Sequence, residues 1–208
     1  MVGYDADRQV VLAADRDEQL YEVTIDELAD ARGSTHKPFP PKHQWFEFDF
    51  SNARPVEPVG AWEAIADAAD GMLNPPISNI GVKGIRKAAR ETAKWPKIMD
   101  EEALRRTSFN ASIFINATGG TGGGIFRYMY SRFLTEAAEL TREPDLAAAA
   151  AGFETVGDRW EEVANQFEIA AEATQPDDEL SQIAAALPAI AEEEERLWTG
   201  LAELAVRS

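Results

Sequence analysis

The spacing of apolar and polar positions changes character once along the chain. Over the first fifty or so residues the apolar runs are short: MVGYD, QVVLAAD and QLYEV, separated by the polar turns DADR and RDE. Such runs predict strands. VTIDELADAR then predicts a short helix, because Thr24 can cap it and Glu27, three residues on, completes a capping box. HKPFPPKH carries three prolines and must run as extended loop. QWFEFDF alternates, with Trp45, Glu47 and Asp49 on one face and Phe46, Phe48 and Phe50 on the other. That pattern predicts one more strand.

SNARPVEPVG is a linker by composition, and beyond it the period becomes helical. Trp62, Ile65, Ala66, Ala69 and Met72 mark a first helix, ended by Asn74-Pro75-Pro76. Ser78 is placed to cap a second, running to about Lys94 before Trp95-Pro96. A third starts near Asp100 and runs into SIFIN, where Ile113, Phe114 and Ile115 would also suit a strand. A fourth begins near Gly124, with Ile125, Met129, Phe133 and Ala137 on one stripe. Phe126, Tyr130 and Leu134 broaden that stripe, so this helix is expected to be largely buried. Phe153, Val156, Trp160, Val163 and Phe167 step by three and four, although Gly152 and Gly157 weaken the pattern. Pro176 followed by Asp177, Asp178 and Glu179 predicts a helix start with Pro at its first position. Ile183, Leu187, Ile190, Leu197, Leu201 and Leu204 continue the stripe, with Glu194 as its one odd member. Pro188 is expected to kink or split that last segment. The fold class is therefore mainly α, α+β overall. Residues 53–208 form an antiparallel helical bundle, and residues 1–52 a small antiparallel β region with one short helix.

Charge narrows the function classes. The net charge of −17 argues against nucleic acid, which needs clustered Lys and Arg. The chain has no cysteine, so no thiolate nucleophile, disulfide or thiolate metal site can come from it. His36 and His43 flank the Pro-rich loop without a third ligand nearby, and Asp5, Asp7, Asp15 and Asp17 lack calcium-loop spacing. No metal and no cofactor are expected. No run is apolar and long enough for a bilayer, and no signal peptide is visible, which places the expected location in the cytoplasm.

Two constellations remain. ATGGTGGGIFRYMY contains Gly119, Gly120, Thr121, Gly122, Gly123 and Gly124 directly before a helix, with Arg127 in its first turn. Free N–H groups at a helix start favour an anion. No GK[ST] follows, and the spacing is not that of a dinucleotide fingerprint. A cation in the first turn opposes the helix dipole by roughly 0.3–1 kcal/mol unless it meets negative charge. Two readings stay open: a cradle for a ligand anion, or a tight joint with Arg127 bridged to an internal acid. The second constellation is basic. Lys83, Lys87, Arg90 and Lys94 share one helical face, flanked by Arg86 and Lys97. They would dock an acidic partner, or be neutralised internally by acids such as Glu192 to Glu195.

VGYDADRQVVLAADRD resembles the last strands of a papain-like fold. GIRKAA, then GGTGGGIFRYMYSRFLTEAAEL, then a Trp-bearing helix resemble the helical domain of unknown function that follows that fold in the butirosin biosynthesis H family. The helical part of the resemblance covers about residues 60–208. It implies kinship with an acyltransferase that uses a cysteine to move an acyl group from a carrier protein to an aminoglycoside amine. The family's Cys and His would both lie before Met1, and only Asp15 matches a triad position. An Asp that orients an absent His does no catalysis. The resemblance therefore implies a truncated or accessory chain, catalytically silent alone. Its ligand would be an acylated carrier arm or an amine held near Gly119–Arg127, and the acidic carrier would meet the basic face. An incomplete papain-like sheet would leave an open edge and an apolar face, which implies association with a missing N-terminal half or with a second copy. The competing expectation is a non-enzymatic helical module that oligomerises.

Overall fold

The computed structural model describes residues 1–14, 19–37, 40–117 and 123–208. Asp15 and Gly119, Gly120, Thr121 and Gly122 lie outside the described residues. The chain divides into two units, Met1–Arg54 and Pro55–Ser208. It is mainly α, with a small antiparallel sheet in the first unit, as the patterning predicts.

In the first unit β1 (Gly3–Asp5), β2 (Val10–Ala14) and β3 (Leu20–Thr24) pair in that order, with Tyr4 opposite Val11 and Val11 opposite Val23. Asp5 shapes the first turn by accepting from the backbone N–H groups of Asp7 and Arg8, both at 3.1 Å. Helix α1 (Ile25–Gly33) starts at the expected capping box. Glu27 N–H donates to Thr24 Oγ1 at 3.2 Å, and Thr24 N–H donates to Glu27 Oε2 at 2.9 Å. QWFEFDF is not a strand. It has no ladder partner, and Phe46, Phe48 and Phe50 are all exposed. Alternation selects a strand only where one face is buried, and here neither face is.

The second unit holds α2 (Pro58–Leu73), α3 (Gly81–Thr92), α4 (Trp95–Ile98), α5 (Glu101–Ile115), α6 (Gly124–Thr141), α7 (Pro144–Glu172) and α8 (Asp177–Arg207). Short connections make α6, α7 and α8 successive antiparallel neighbours. α5 and α6 pack on α7, while α2 and α3 pack on α8. The core runs through Ile65, Leu134, Phe153, Val156, Ile183 and Leu187. Ser112 to Ile115 of SIFIN resolve as the last turn of α5, which is capped at its start by Asp100, whose Oδ1 accepts from Ala103 N–H at 2.8 Å.

Four local expectations need correction. Ser78 caps nothing: α3 begins at Gly81, whose φ of +63° and position 2.4 Å (at a would-be Cβ) from the Met72 carbonyl oxygen admit only glycine. Pro176 is the N-cap of α8 rather than its first residue. α7 runs unbroken, because Gly152 and Gly157 lie against Leu197 and the Tyr128 ring and make room for them. α8 continues past Pro188 as one helix, held on both sides by buried Ile183, Leu187 and Ile190. α6 is also less buried than its pattern suggests: Phe126 and Met129 are 49% and 56% exposed.

Candidate binding groove and its buried glutamate

Three successive acids on α8 meet three different helices. Consecutive helical positions differ by about 100° around the axis. Glu193 therefore reaches Arg159 of α7 at 2.5 Å, Glu194 reaches Arg127 of α6 at 2.7 Å, and Glu195 reaches Arg86 of α3 at 2.6 Å. The outer pairs are partly exposed, but Glu194 is 0% exposed and Arg127 only 15%. Arg127 grips Glu194 as a fork, Nε–H to Oε1 and Nη2–H to Oε2, both at 2.8 Å. The indole N–H of Trp160 adds a bond to Oε1 at 2.9 Å, and that of Trp198 a longer one to Oε2 at 3.4 Å. The guanidinium also lies over the Trp160 ring, 5.5 Å from its centroid. A buried carboxylate this well supplied with donors meets its desolvation cost.

The same logic governs the Gly-rich joint. Glu161 Oε1 accepts from Ala117 N–H at 2.7 Å, and a Cβ on Gly124 would come within 2.4 Å of that oxygen. Gly123 has a φ of +56° and sits against the Ile115 carbonyl oxygen, so it too must be glycine. The described ends of the joint thus face an internal carboxylate, and Arg127 faces another.

Beside Arg127 lies an open groove of about 530 Å³. α2 contributes Ala68, Gly71 and Met72, and α6 contributes Phe126, Met129, Tyr130 and Phe133. Phe153 and Trp198 come from α7 and α8, and Arg127 of α6 also lines it. The wall is one aromatic cluster: Tyr130 is centred 4.7 Å from Trp198 and 5.0 Å from Phe153, which is 4.6 Å from Trp198. Burial pushes the Tyr130 phenol above its ordinary pKa, so it stays protonated. Its Oη has no hydrogen-bond partner among the described residues. The volume falls in the usual range for a small-molecule site, and the lining is apolar with few polar groups, as such sites are. A second recess of about 510 Å³ between α7 and α8 is lined by Arg159, Glu162, Gln166 and Gln182 and is far more polar.

The basic face is only partly free. Lys87 Nζ donates to Asn79 Oδ1 at 2.6 Å, and Lys94 pairs with Glu91 at 2.8 Å. Lys83 and Arg90 are exposed. Arg86, the flanking cation, is the one tied to the acidic run.

The sequence profile of a domain of unknown function, DUF4872, matches residues 26–201. The chain belongs to this family. The match takes in α1 from Asp26 onward and every groove residue named above, together with Arg127, Glu161 and Glu194, and it leaves β1 to β3 outside. No curated protein and no solved structure matches the chain. Within this DUF4872 domain the feature that sequence reasoning missed is the groove. The signal for Glu194 was present, as a lone acid in an apolar helical stripe, and Arg127 as a lone cation in an aromatic one.

Proposed function

We propose that this chain is an accessory, catalytically silent partner in carrier-dependent acyl transfer of the butirosin biosynthesis H type. Its helical unit receives the apolar part of an acyl group in the groove between α2, α6, α7 and α8. The groove is the observation that carries this reading: an aromatic wall with open volume, lined in part by Arg127 of the segment named by the resemblance. A carrier would approach along α3 and the turn after it, where Lys83, Lys87 and Arg90 of α3 and Lys94 just beyond it are the basic residues in a chain of net charge −17. The test is capture of an acylated acidic carrier protein at low salt. Binding should be lost when those four residues are changed to Glu. Capture unaffected by the change, or absent from the start, contradicts the docking.

One observation favours a second reading, a helical module that self-associates. Phe126 and Met129 expose apolar surface one turn apart on α6. Light scattering across a concentration series decides it. A dimer abolished by Met129→Lys supports this reading, and a monomer at all concentrations removes it.

A further inference from the structure

We infer that the groove selects a neutral carbonyl-bearing group, an amide, ester or thioester on an apolar tail, and discriminates against the matching free carboxylate. The inference rests on the groove being a ligand site. Among the described residues that line it, Arg127 is the sole charged one. An unpaired arginine there would call for a carboxylate, but Arg127 spends its charge and two of its donor groups on Glu194. Among the described residues its Nη1 makes one long bond, 3.4 Å to the Gly123 carbonyl oxygen. A guanidinium has more N–H groups than one carboxylate can use. The guanidinium that lines the groove therefore keeps N–H donors beyond those Glu194 takes, without net charge. A carbonyl oxygen needs only donors, whereas a carboxylate would also lose its hydration against Phe126, Met129 and Phe133 with no free positive charge in return. The net charge of −17 disfavours the anion again at long range.

Isothermal titration of the full chain with octanamide, methyl octanoate and octanoate tests this. Octanamide and the ester should bind, and octanoate should bind at least about tenfold more weakly, a difference of about 1.4 kcal/mol. Glu194→Gln leaves the Arg127 charge uncompensated, so octanoate should gain about tenfold relative to octanamide. Octanoate binding as tightly as octanamide to the native chain overturns the inference and leaves the groove standing as a ligand site. No change of preference in a folded Glu194→Gln protein also overturns it. If none of the three ligands binds, the groove reading itself fails and the inference falls with it. Should Glu194→Gln not fold, the native series alone decides.

Discussion

Arg127 and Glu194 act as one unit. Arg127 neutralises the fully buried Glu194, and the two indoles complete the carboxylate's bonding. Arg127→Ala should therefore cost about 3–5 kcal/mol, the usual penalty for stranding a buried charge. Urea denaturation measures it. Arg127→Gln combined with Glu194→Gln removes both charges and should recover most of that loss. A double variant as unstable as the single one would show that packing, not charge pairing, sets the cost. The outer pair behaves differently. The hydrogen bond from Arg86 holds the Glu195 carboxyl below the ordinary carboxylate range, and the site is largely open to solvent. A folded-state pKa that is depressed adds stability above the unfolded value and loses it as pH falls through the folded one. Glu195→Gln should thus lower the melting temperature slightly at neutral pH, with the gap closing as pH is taken below the carboxylate range. A gap that widens in acid would contradict the pairing.

At the level of elements, most of the fold is legible in the sequence because helical period, caps and prolines act locally. Thr24 with Glu27, Asp100 before α5, and Gly124 at the start of α6 all sit where their chemistry places them. What escapes is what depends on a neighbour. QWFEFDF has perfect alternation yet pairs with no strand among the described residues. Pro188 breaks isolated helices, yet the buried flanks of α8 carry the helix past it. The glycines of α7 look like weak points and are contact points instead. A Cβ on Gly157 would stand 2.6 Å from the Tyr128 ring, whose hydroxyl is fixed to Asp158 at 2.7 Å. Gly157→Ala should cost about 1–3 kcal/mol through overpacking. Gly200, in α8, has nothing within 4 Å of a Cβ. Gly200→Ala should stabilise by roughly 0.5–1 kcal/mol through helix propensity alone. Thermal unfolding of the two variants should move in opposite directions, and equal shifts would refute the contact at Gly157. The groove was equally illegible, since its wall joins residues of four helices.

Acids dominate the surface, cations gather along α3, and the aromatic groove opens between α2 and α6. Among the described residues no helix is long and apolar enough to cross a membrane, so α6 does not owe its exposed Phe126 and Met129 to a bilayer span. If the α3 face guides an acidic carrier, capture should weaken steeply as ionic strength rises from about 0.01 M to 0.15 M, as the screening length falls from about 30 Å to about 8 Å. Salt-insensitive capture would point to apolar contact instead. The central claim, that the helical unit takes an apolar group in its groove, has a direct test in Gly71. This residue lines the groove, and a side chain built there meets nothing within 4 Å. Gly71→Leu should fill the groove without disturbing the fold. Titration with octanamide should show binding to the native chain and none to Gly71→Leu, at an unchanged or higher melting temperature. Equal binding to both proteins would place the ligand elsewhere and contradict the account.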